Sequence, residues 1–325
     1  MSIFLWLAAL FLIGATLLPF LRLEKWWIRI FDFPRLQIAV LLVLILIAFV
    51  VVQRPLTTPD ILCILAMAGS LGYQLYEIFP YTPLAQPEVP QTNDRDPRRS
   101  VRLVIANVLM HNRNVDAFLK IVRRHDPDLV LILETDDWWD RQLSVLEERY
   151  SYVVRYPLQN TYGIHLFSKL DLRSPTVSFL VEEDVPSIHT AVRLRSGDWI
   201  ELYGVHPRPP KPLRDTYKRD AELVLVGKTV RDRGSPVIVA GDFNDVAWSH
   251  TTRLFQRLSG TRDPRVGRGM LNTFHAEIPI FRWPLDHVFN GEGFTLGQIK
   301  RLDYFGSDHF PVFVELYYEP QRQRS

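Results

Sequence analysis

Residues 237–244 read VIVAGDFN and residues 306–316 read GSDHFPVFVEL. Each joins a run of β-branched and aliphatic residues, the composition of a buried strand, to an acid placed where that run meets a loop. The same arrangement recurs outward along the chain. Asn107 follows VRLVIA, Glu134 ends LVLILE, His206 ends LYGVH, and Asp286 sits in LDHVF. An acid or amide after a strand is ordinarily a turn or cap residue. Six polar sites closing or opening strand-like runs point instead to one edge of a sheet protein where chemistry gathers.

The pattern around these runs is alternating α/β. Val101–Ala106, Leu129–Leu133, Ile164–Phe167, Ala191–Leu194, Ile200–Val205, Val237–Ala240 and Pro311–Leu316 are expected as strands. Val115–Arg124, Trp138–Tyr150, Leu213–Arg231 and Ser249–Leu258 are expected as helices. The cluster of strands late in the chain argues against a purely parallel, doubly wound sheet. The expected fold class is therefore layered α/β over residues 101–325.

The residue types limit the chemistry. Glu134, Asp308 and Asn107 are hard oxygen donors with no cysteine among them, a set suited to Mg²⁺, with Mn²⁺ as the substitute, and to holding a phosphate beside the ion. Asp286 can orient and charge the His309 imidazole, which then stabilises a transferring phosphoryl group. Asp242 can position or deprotonate an attacking water, Asn244 can hold a phosphate oxygen, and His206 supplies a further donor. No GxSxG elbow and no GxxxxGK[ST] loop is present, which counts against a serine hydrolase and a P-loop NTPase. Zinc held by His165, His206, His287 and His309 lacks the usual close spacing.

The ordered series IANV, LILETD, YGIHLFSK, YGVHPRPP, VIVAGDFND, LDHVF and GSDHFPV resembles the endonuclease/exonuclease/phosphatase superfamily, which includes deoxyribonuclease I-like nucleases, sphingomyelinases and inositol polyphosphate phosphatases. The resemblance spans about residues 101 to 318. It implies a four-layer α/β sandwich, two facing β-sheets flanked by helices, with a hydrolase site at one edge. It places Asn107, Glu134 and Asp308 at the metal and phosphate corner, Asp242 and Asn244 at the water and phosphate, Asp286 behind His309, and His206 beside the scissile phosphate. A phosphodiesterase of nuclease type is the leading expectation. A phospholipid or sphingomyelin-type headgroup phosphodiesterase, or a phosphomonoesterase, is the alternative within the enzyme class, and a non-catalytic membrane scaffold is the alternative outside it. Two departures stand out: NVLMHN lacks the aromatic residue common after that asparagine, and His165 stands where a small or apolar residue is usual.

Residues 1–80 are of another kind. Ile3–Leu21, Leu36–Val52 and Ile61–Phe79 are apolar runs near the roughly 20 residues needed to cross a bilayer. Three transmembrane helices are expected, rather than a cleaved signal peptide, because the first run lacks a basic n-region and two more follow. The first connection carries Arg22, Lys25, Arg29 and Arg35 and the second only Arg54, so the positive-inside rule puts the first in the cytoplasm of a plasma or inner membrane. Three crossings place the catalytic domain on that same side. Trp26 and Trp27 suit an interfacial belt, and residues 81–100, with four prolines, read as an extended tether.

The whole chain has 325 residues, 38 basic against 36 acidic, and one cysteine. A disulfide framework is excluded, and no overall basic surplus marks a dedicated duplex binder. Arg208, Lys211, Arg214, Lys218 and Arg219 could form a phosphate-gripping rim or a solvated helix face. Trp138, Trp139, Trp248 and Trp283 could stack bases or pack a core. The expected partners are a phosphate-ester substrate, nucleic acid or phospholipid, and the lipid bilayer; no protein partner is indicated.

Overall fold

The computed structural model describes residues 2–210, 215–234 and 236–320. Four helices come first: α1 (Ser2–Leu17), the short α2 (Trp26–Arg29), α3 (Arg35–Val52) and α4 (Thr58–Ile78). Three stretches are long and apolar enough to cross a membrane: Ile3–Leu21, Arg35–Val52 and Thr58–Tyr81. Only one stripe of each packs inward, with Ala9, Leu12, Leu42, Phe49 and Met67 at the centre of the bundle. Leu7, Leu10, Phe11, Leu44, Ile47, Leu62 and Leu65 face outward. A soluble helix hides its apolar face, whereas one surrounded by lipid is apolar all round. Thr57 and Asp60 form a reciprocal capping box that fixes where α4 begins.

The second part contains β1 (Ser100–Asn107), α5 (Val115–His125), β2 (Leu129–Leu133), α6 (Asp137–Leu143), β3 (Tyr152–Tyr156), β4 (Ile164–Ser168), β5 (Leu172–Ser178), β6 (Ser187–Arg193), β7 (Trp199–Val205), α7 (Tyr217–Arg233), β8 (Val237–Asp242), α8 (His250–Ser259), β9 (Asp286–Asn290), β10 (Phe294–Arg301) and β11 (Val312–Tyr318). They form a six-stranded sheet of order β10-β11-β1-β2-β4-β3 and a five-stranded sheet of order β5-β6-β7-β8-β9. Both are mixed: β1–β2 and β7–β8 run parallel, and the remaining neighbours are antiparallel.

Strand periodicity explains the layering. Leu103 and Ile105 of β1 and Leu129, Leu131 and Leu133 of β2 point into a core shared with Leu202, Ile238, Ala240 and Val288 of the other sheet. Their alternates Val104, Ala106, Val130 and Ile132 pack under α5 and α6 with Phe118, Leu119 and Trp139. On the opposite outer face, Val205, Val239 and Phe289 meet Leu223, Val226 and Phe255 of α7 and α8. Central strands buried on both faces therefore read as continuous apolar runs, and the result is the expected sandwich of helices, sheet, sheet and helices.

The differences from expectation lie at boundaries and edges. The expected helix Trp138–Tyr150 is α6 followed by a 3₁₀ turn, Ser144–Glu148. Leu213–Arg231 is α7 from Tyr217, and Leu213 and Arg214 lie outside the described residues. Strands β3, β5, β9 and β10 were not among the expected runs. β3 and β5 are edge strands with exposed Arg155, Arg173, Ser174 and Pro175, so they lack a buried apolar signature. Residues 81–100 do not hang free: Val89 is fully buried in the inter-sheet core, and Pro90 and Thr92 exchange backbone hydrogen bonds with Leu296.

The helix bundle also docks on the two-sheet domain. Trp248 Nε1 donates to Asp32 O at 2.6 Å, Tyr81 Oη to Ala247 O at 3.0 Å and Gln37 Nε2 to Ile280 O at 2.7 Å. Arg253 of α8 pairs with Glu77 of α4 at 2.9 Å, which accounts for a carboxylate near the end of the third apolar run.

Two predictions follow from packing. On α7, Glu222 is buried, its Oε1 has no hydrogen-bond partner among the described residues, and burial, reinforced by Glu182, pushes its carboxyl up to about 8. The folded state then holds this proton more tightly than the unfolded chain, so the contribution is full below about pH 4.5 and lost as pH rises through 8. The loss is on the order of 3–5 kcal/mol at one site. Glu222→Gln should flatten the decline in melting temperature between acidic and mildly alkaline pH; an unchanged slope would refute the assignment. Gly241 has φ +146° and a Cβ there would lie 1.9 Å from Val205 O. Gly241→Ala should therefore lower stability by about 2–3 kcal/mol or more and displace its neighbour Asp242, read as lost activity and an earlier melt. Wild-type behaviour in both would contradict the packing.

Candidate active site

Topology brings the polar residues together before any side chain is considered. Parallel pairing sends the C-terminal ends of β1 and β2 to one edge, and those of β7 and β8 to the corresponding edge of the facing sheet. These ends deliver Asn107, Glu134, His206 and Asp242. Strand β9 runs antiparallel to β8 and begins there, with Asp286 opposite Asp242. Strand β11 begins opposite Ile105 of β1, which places the preceding Ser307–His309 turn beside Asn107.

The contacts are specific. Asn107 Nδ2 donates to Glu134 Oε1 at 2.9 Å and to Asp242 Oδ2 at 3.1 Å, linking the two sheets. Its Oδ1 accepts from Leu109 N. Asp242 Oδ1 accepts the Asn244 N–H at 2.9 Å, and the Asn244 side chain donates to Pro207 O at 2.9 Å. His309 Nδ1 donates to Asp286 Oδ2 at 2.8 Å, which leaves its Nε2 3.5 Å from Asp242 Oδ2. His206 Nε2 lies 3.8 Å from Asp242 and 3.9 Å from Glu134. Glu134 and Asn244 both have left-handed backbones, φ 62° and 51°. That conformation is unfavourable for glutamate, and in Glu134 it is held by the bond from Asn107.

Electrostatics sets the character of the site. Burial pushes the Asp242 carboxyl up, partly opposed by His309. Glu134 is raised mainly by burial, with Asp308 adding repulsion. His206 is lowered because its burial outweighs the pull of Asp242. His309 goes the other way: burial alone would lower it, but Asp286 and Asp242, helped by Asp308, overcome that and keep it charged at neutral pH. Four carboxylates thus face one imidazolium. Asp286 Oδ1 and His206 Nδ1 are buried without a hydrogen-bond partner among the described residues. An excess of buried negative charge with oxygen donors to spare fits a divalent cation. The atoms of Asp242, Asp286 and His309 lie within 4.8 Å of one another, a candidate metal-binding group. Since Asp286 is already bonded to His309 Nδ1, that trio also works as an acid–histidine pair aimed at Asp242.

All eight sequence-derived residues, Asn107, Glu134, His206, Asp242, Asn244, Asp286, Asp308 and His309, belong to these strand ends and turns. Other candidates fall elsewhere. His165 is fully buried between Thr135 Oγ1 at 2.7 Å and Asp140 Oδ1 at 2.8 Å, and supports the loop after Glu134. His287 accepts from Arg265 at Nδ1 and meets Asp245 O at Nε2, so it is a neutral structural histidine. The four histidines considered for zinc therefore do not gather. Arg208 pairs with Glu182 and Asp184, Lys218 with Glu182, and Arg219 is buried against Asp220 and Asp245. These three form ion pairs instead of an open phosphate rim, and Lys211 and Arg214 lie outside the described residues. Trp139 is core, and Trp248 packs at the helix bundle.

Sequence reasoning missed Ser307 and Phe274. Ser307 Oγ donates to Asn107 O at 2.8 Å and accepts from His309 N at 3.1 Å, tying two site segments together. Phe274 packs its ring 4.9 Å from that of His309. Ser307 was visible beside Asp308 in GSDHFP; Phe274, in a loop distant in sequence, gave no signal.

A search of curated proteins gives no match. Among solved structures, a zebrafish (D. rerio) TDP2 complexed with single-strand DNA product is similar, at TM-score 0.57 and 15% identity, covering 67% of this chain and 98% of that one. The human Nocturnin catalytic domain with bound sulfate gives TM-score 0.57 and 15% identity over 69% and 100%. An endonuclease/exonuclease/phosphatase family protein from Bacteroides thetaiotaomicron gives 0.55 and 20% over 70% and 98%. At these identities the likeness speaks to the fold. The model of the Endonuclease/Exonuclease/phosphatase family matches residues 104–309, from the middle of β1 through His309. The chain belongs to the Endonuclease/Exonuclease/phosphatase family, whose members are divalent-metal-dependent hydrolases of phosphate esters.

Proposed function

We propose that this protein is a membrane-tethered, Mg²⁺-dependent phosphodiesterase in which residues 101–325 hydrolyse the substrate and residues 1–80 anchor it. The observation that carries the reading is the bonded chain Asp286–His309 facing Asp242, itself joined through Asn107 to Glu134. Glu134 and Asp308, with Asn107 alongside, would hold the ion, which supplies neutralisation of phosphate charge when bound.

The protein's own part follows from its hydrogen bonds. Asp242 is fixed by Asn244 N and Asn107 Nδ2, and its burial makes it more basic than a free aspartate, suited to orient a water and take its proton. His309, charged and held by Asp286, presents Nε2–H to the charge that grows on the phosphoryl oxygens. His206 lies beside Asp242 and Glu134, in reach of the same phosphate, and Asn244 fixes Asp242 through its backbone N–H. Water attacks phosphorus, the bond to the leaving oxygen breaks, and the inversion expected of in-line displacement follows.

For location, Lys25 pairs with Asp215 and Arg29 bonds Thr251, so the basic first connection lies at the same end of the bundle as the catalytic domain. Together with the positive-inside rule, this supports a cytoplasmic catalytic domain. Nucleic acid is the leading substrate class. A lipid headgroup phosphodiester is favoured by one observation: an apolar cleft of about 400 Å³ lies between Trp26, Ile30 and Phe33 on the membrane side and Pro210, Phe281 and Trp283 on the domain. Trp283 stacks on Phe274, which packs on His309.

The test is hydrolysis by the full-length protein of supercoiled plasmid, and of phospholipid in mixed micelles, with Mg²⁺ and with EDTA. Metal-dependent turnover of either should fall by about 100-fold or more in Asp242→Ala and in His309→Ala. Plasmid nicking supports the nuclease reading, and headgroup release alone supports the lipid reading. Full activity in both variants would reject the site.

A further inference from the structure

Where the helix bundle meets the catalytic domain, a second cavity of about 400 Å³ opens, and none of the eight clustered residues lines it. Its cationic lining comes from both parts: Arg22 and Arg29 between α1 and α3 and Arg35 at the start of α3, and His250, Arg253 and Arg257 from α8. Only two carboxylates line it, Asp32 and Glu77. Asp32 is shared by Arg35 at 2.7 Å and Arg29 at 3.3 Å, and Glu77 is taken by Arg253 at 2.9 Å. Asp220, 3.9 Å from Arg29, is held by Arg219 and Thr216.

Two guanidiniums, Arg22 and Arg257, have no acid paired with them among the described residues. Arg29 and Arg35 are almost wholly buried, and the Nε of each has no hydrogen-bond partner among the described residues. His250 shows how crowded the positive charge is: burial first, and then Arg29, Arg22 and Arg257, hold its imidazole toward the neutral form. Like charges collected in a polar hollow, with buried donors left over, destabilise the fold unless an anion joins them.

The position selects the anion. Arg22 follows the first apolar stretch, Arg35 opens the second, and Tyr73 and Glu77 lie near the end of the third. Phe20 and Tyr73, with ring centroids 4.6 Å apart, form an apolar wall on the bundle side. The hollow is therefore basic on both sides, with an aromatic wall on the bundle side, and membrane placement of the helices puts it at the depth where phosphates of a leaflet would lie.

We propose that this cavity binds the headgroup phosphate of an anionic phospholipid, which bridges the helix bundle and the catalytic domain. The inference rests on membrane placement of the three helices, which alkaline carbonate extraction tests separately: release of the protein from membranes would overturn both.

The direct experiment is native mass spectrometry of the full-length protein in detergent, titrated with phosphatidylglycerol or phosphatidylcholine, beside an Arg22→Gln/Arg257→Gln variant. Neither arginine holds an acid or touches the catalytic cluster, so folding and hydrolysis of a soluble phosphodiester should persist. The expected result is one phosphatidylglycerol bound about tenfold or more tightly than phosphatidylcholine, with that preference lost in the variant, as removal of charge-assisted hydrogen bonds requires. Competition by inorganic phosphate is the third arm. Weak displacement of the lipid supports the proposal, whereas binding of inorganic phosphate with no preference for the lipid would overturn the lipid source. Equal affinity for both lipids, or an undiminished preference in the variant, would overturn the site.

Discussion

The constraint on which the catalytic architecture depends is the burial of carboxylates at one edge of a two-sheet sandwich. Asp242 and Asp286 are almost inaccessible, and Glu134 lies beside them. Charge held out of water is tolerated only when hydrogen-bonded and paired. Every local feature of the site answers that demand. Asn107 spans the two sheets to donate to Glu134 and Asp242, the Asn244 turn points its amide at Asp242, and Asp286 shares His309. What remains is an excess of negative charge, the condition under which a divalent ion and then a phosphate ester are bound.

That edge exists because two parallel strand pairs end together, one in each sheet. The clustered polar side chains are divided between the sheets, with Asn107 and Glu134 from one and His206, Asp242 and Asp286 from the other. Inter-sheet packing, through Leu131, Leu133, Ile238 and Ala240, therefore sets the distances within this cluster as well as stability. Gly204 illustrates how close the approach is: a Cβ there would come 2.8 Å from Leu131 Cδ1.

Much of the fold was legible in the sequence because central strands buried on both faces read as uninterrupted aliphatic runs, and the polar residues at the ends of those runs are the ones the structure gathers at one edge. VIVAGDFN and GSDHFPVFVEL carried both signals. The edge strands β3 and β5 did not, since half their residues face solvent. The packing of Val89 and Pro90 against the domain was hidden as well, because a proline-rich segment looks the same whether it is extended in water or laid on a sheet. The joining of bundle and domain through Glu77–Arg253 and Asp32–Trp248 depends on contacts distant in sequence, which no local pattern announces. The basic cluster after His206 could not be decided from sequence, because the partners that engage it, Glu182, Asp184 and Asp245, lie elsewhere in the chain.

The account stands or falls on the cation that the buried acids call for. Anomalous diffraction from crystals grown with Mn²⁺ addresses this most directly. One strong peak ligated by Glu134 and Asp308, lost in Glu134→Gln, is the predicted result. A folded protein whose buried acids attract no ion at Mn²⁺ concentrations that support turnover would contradict it.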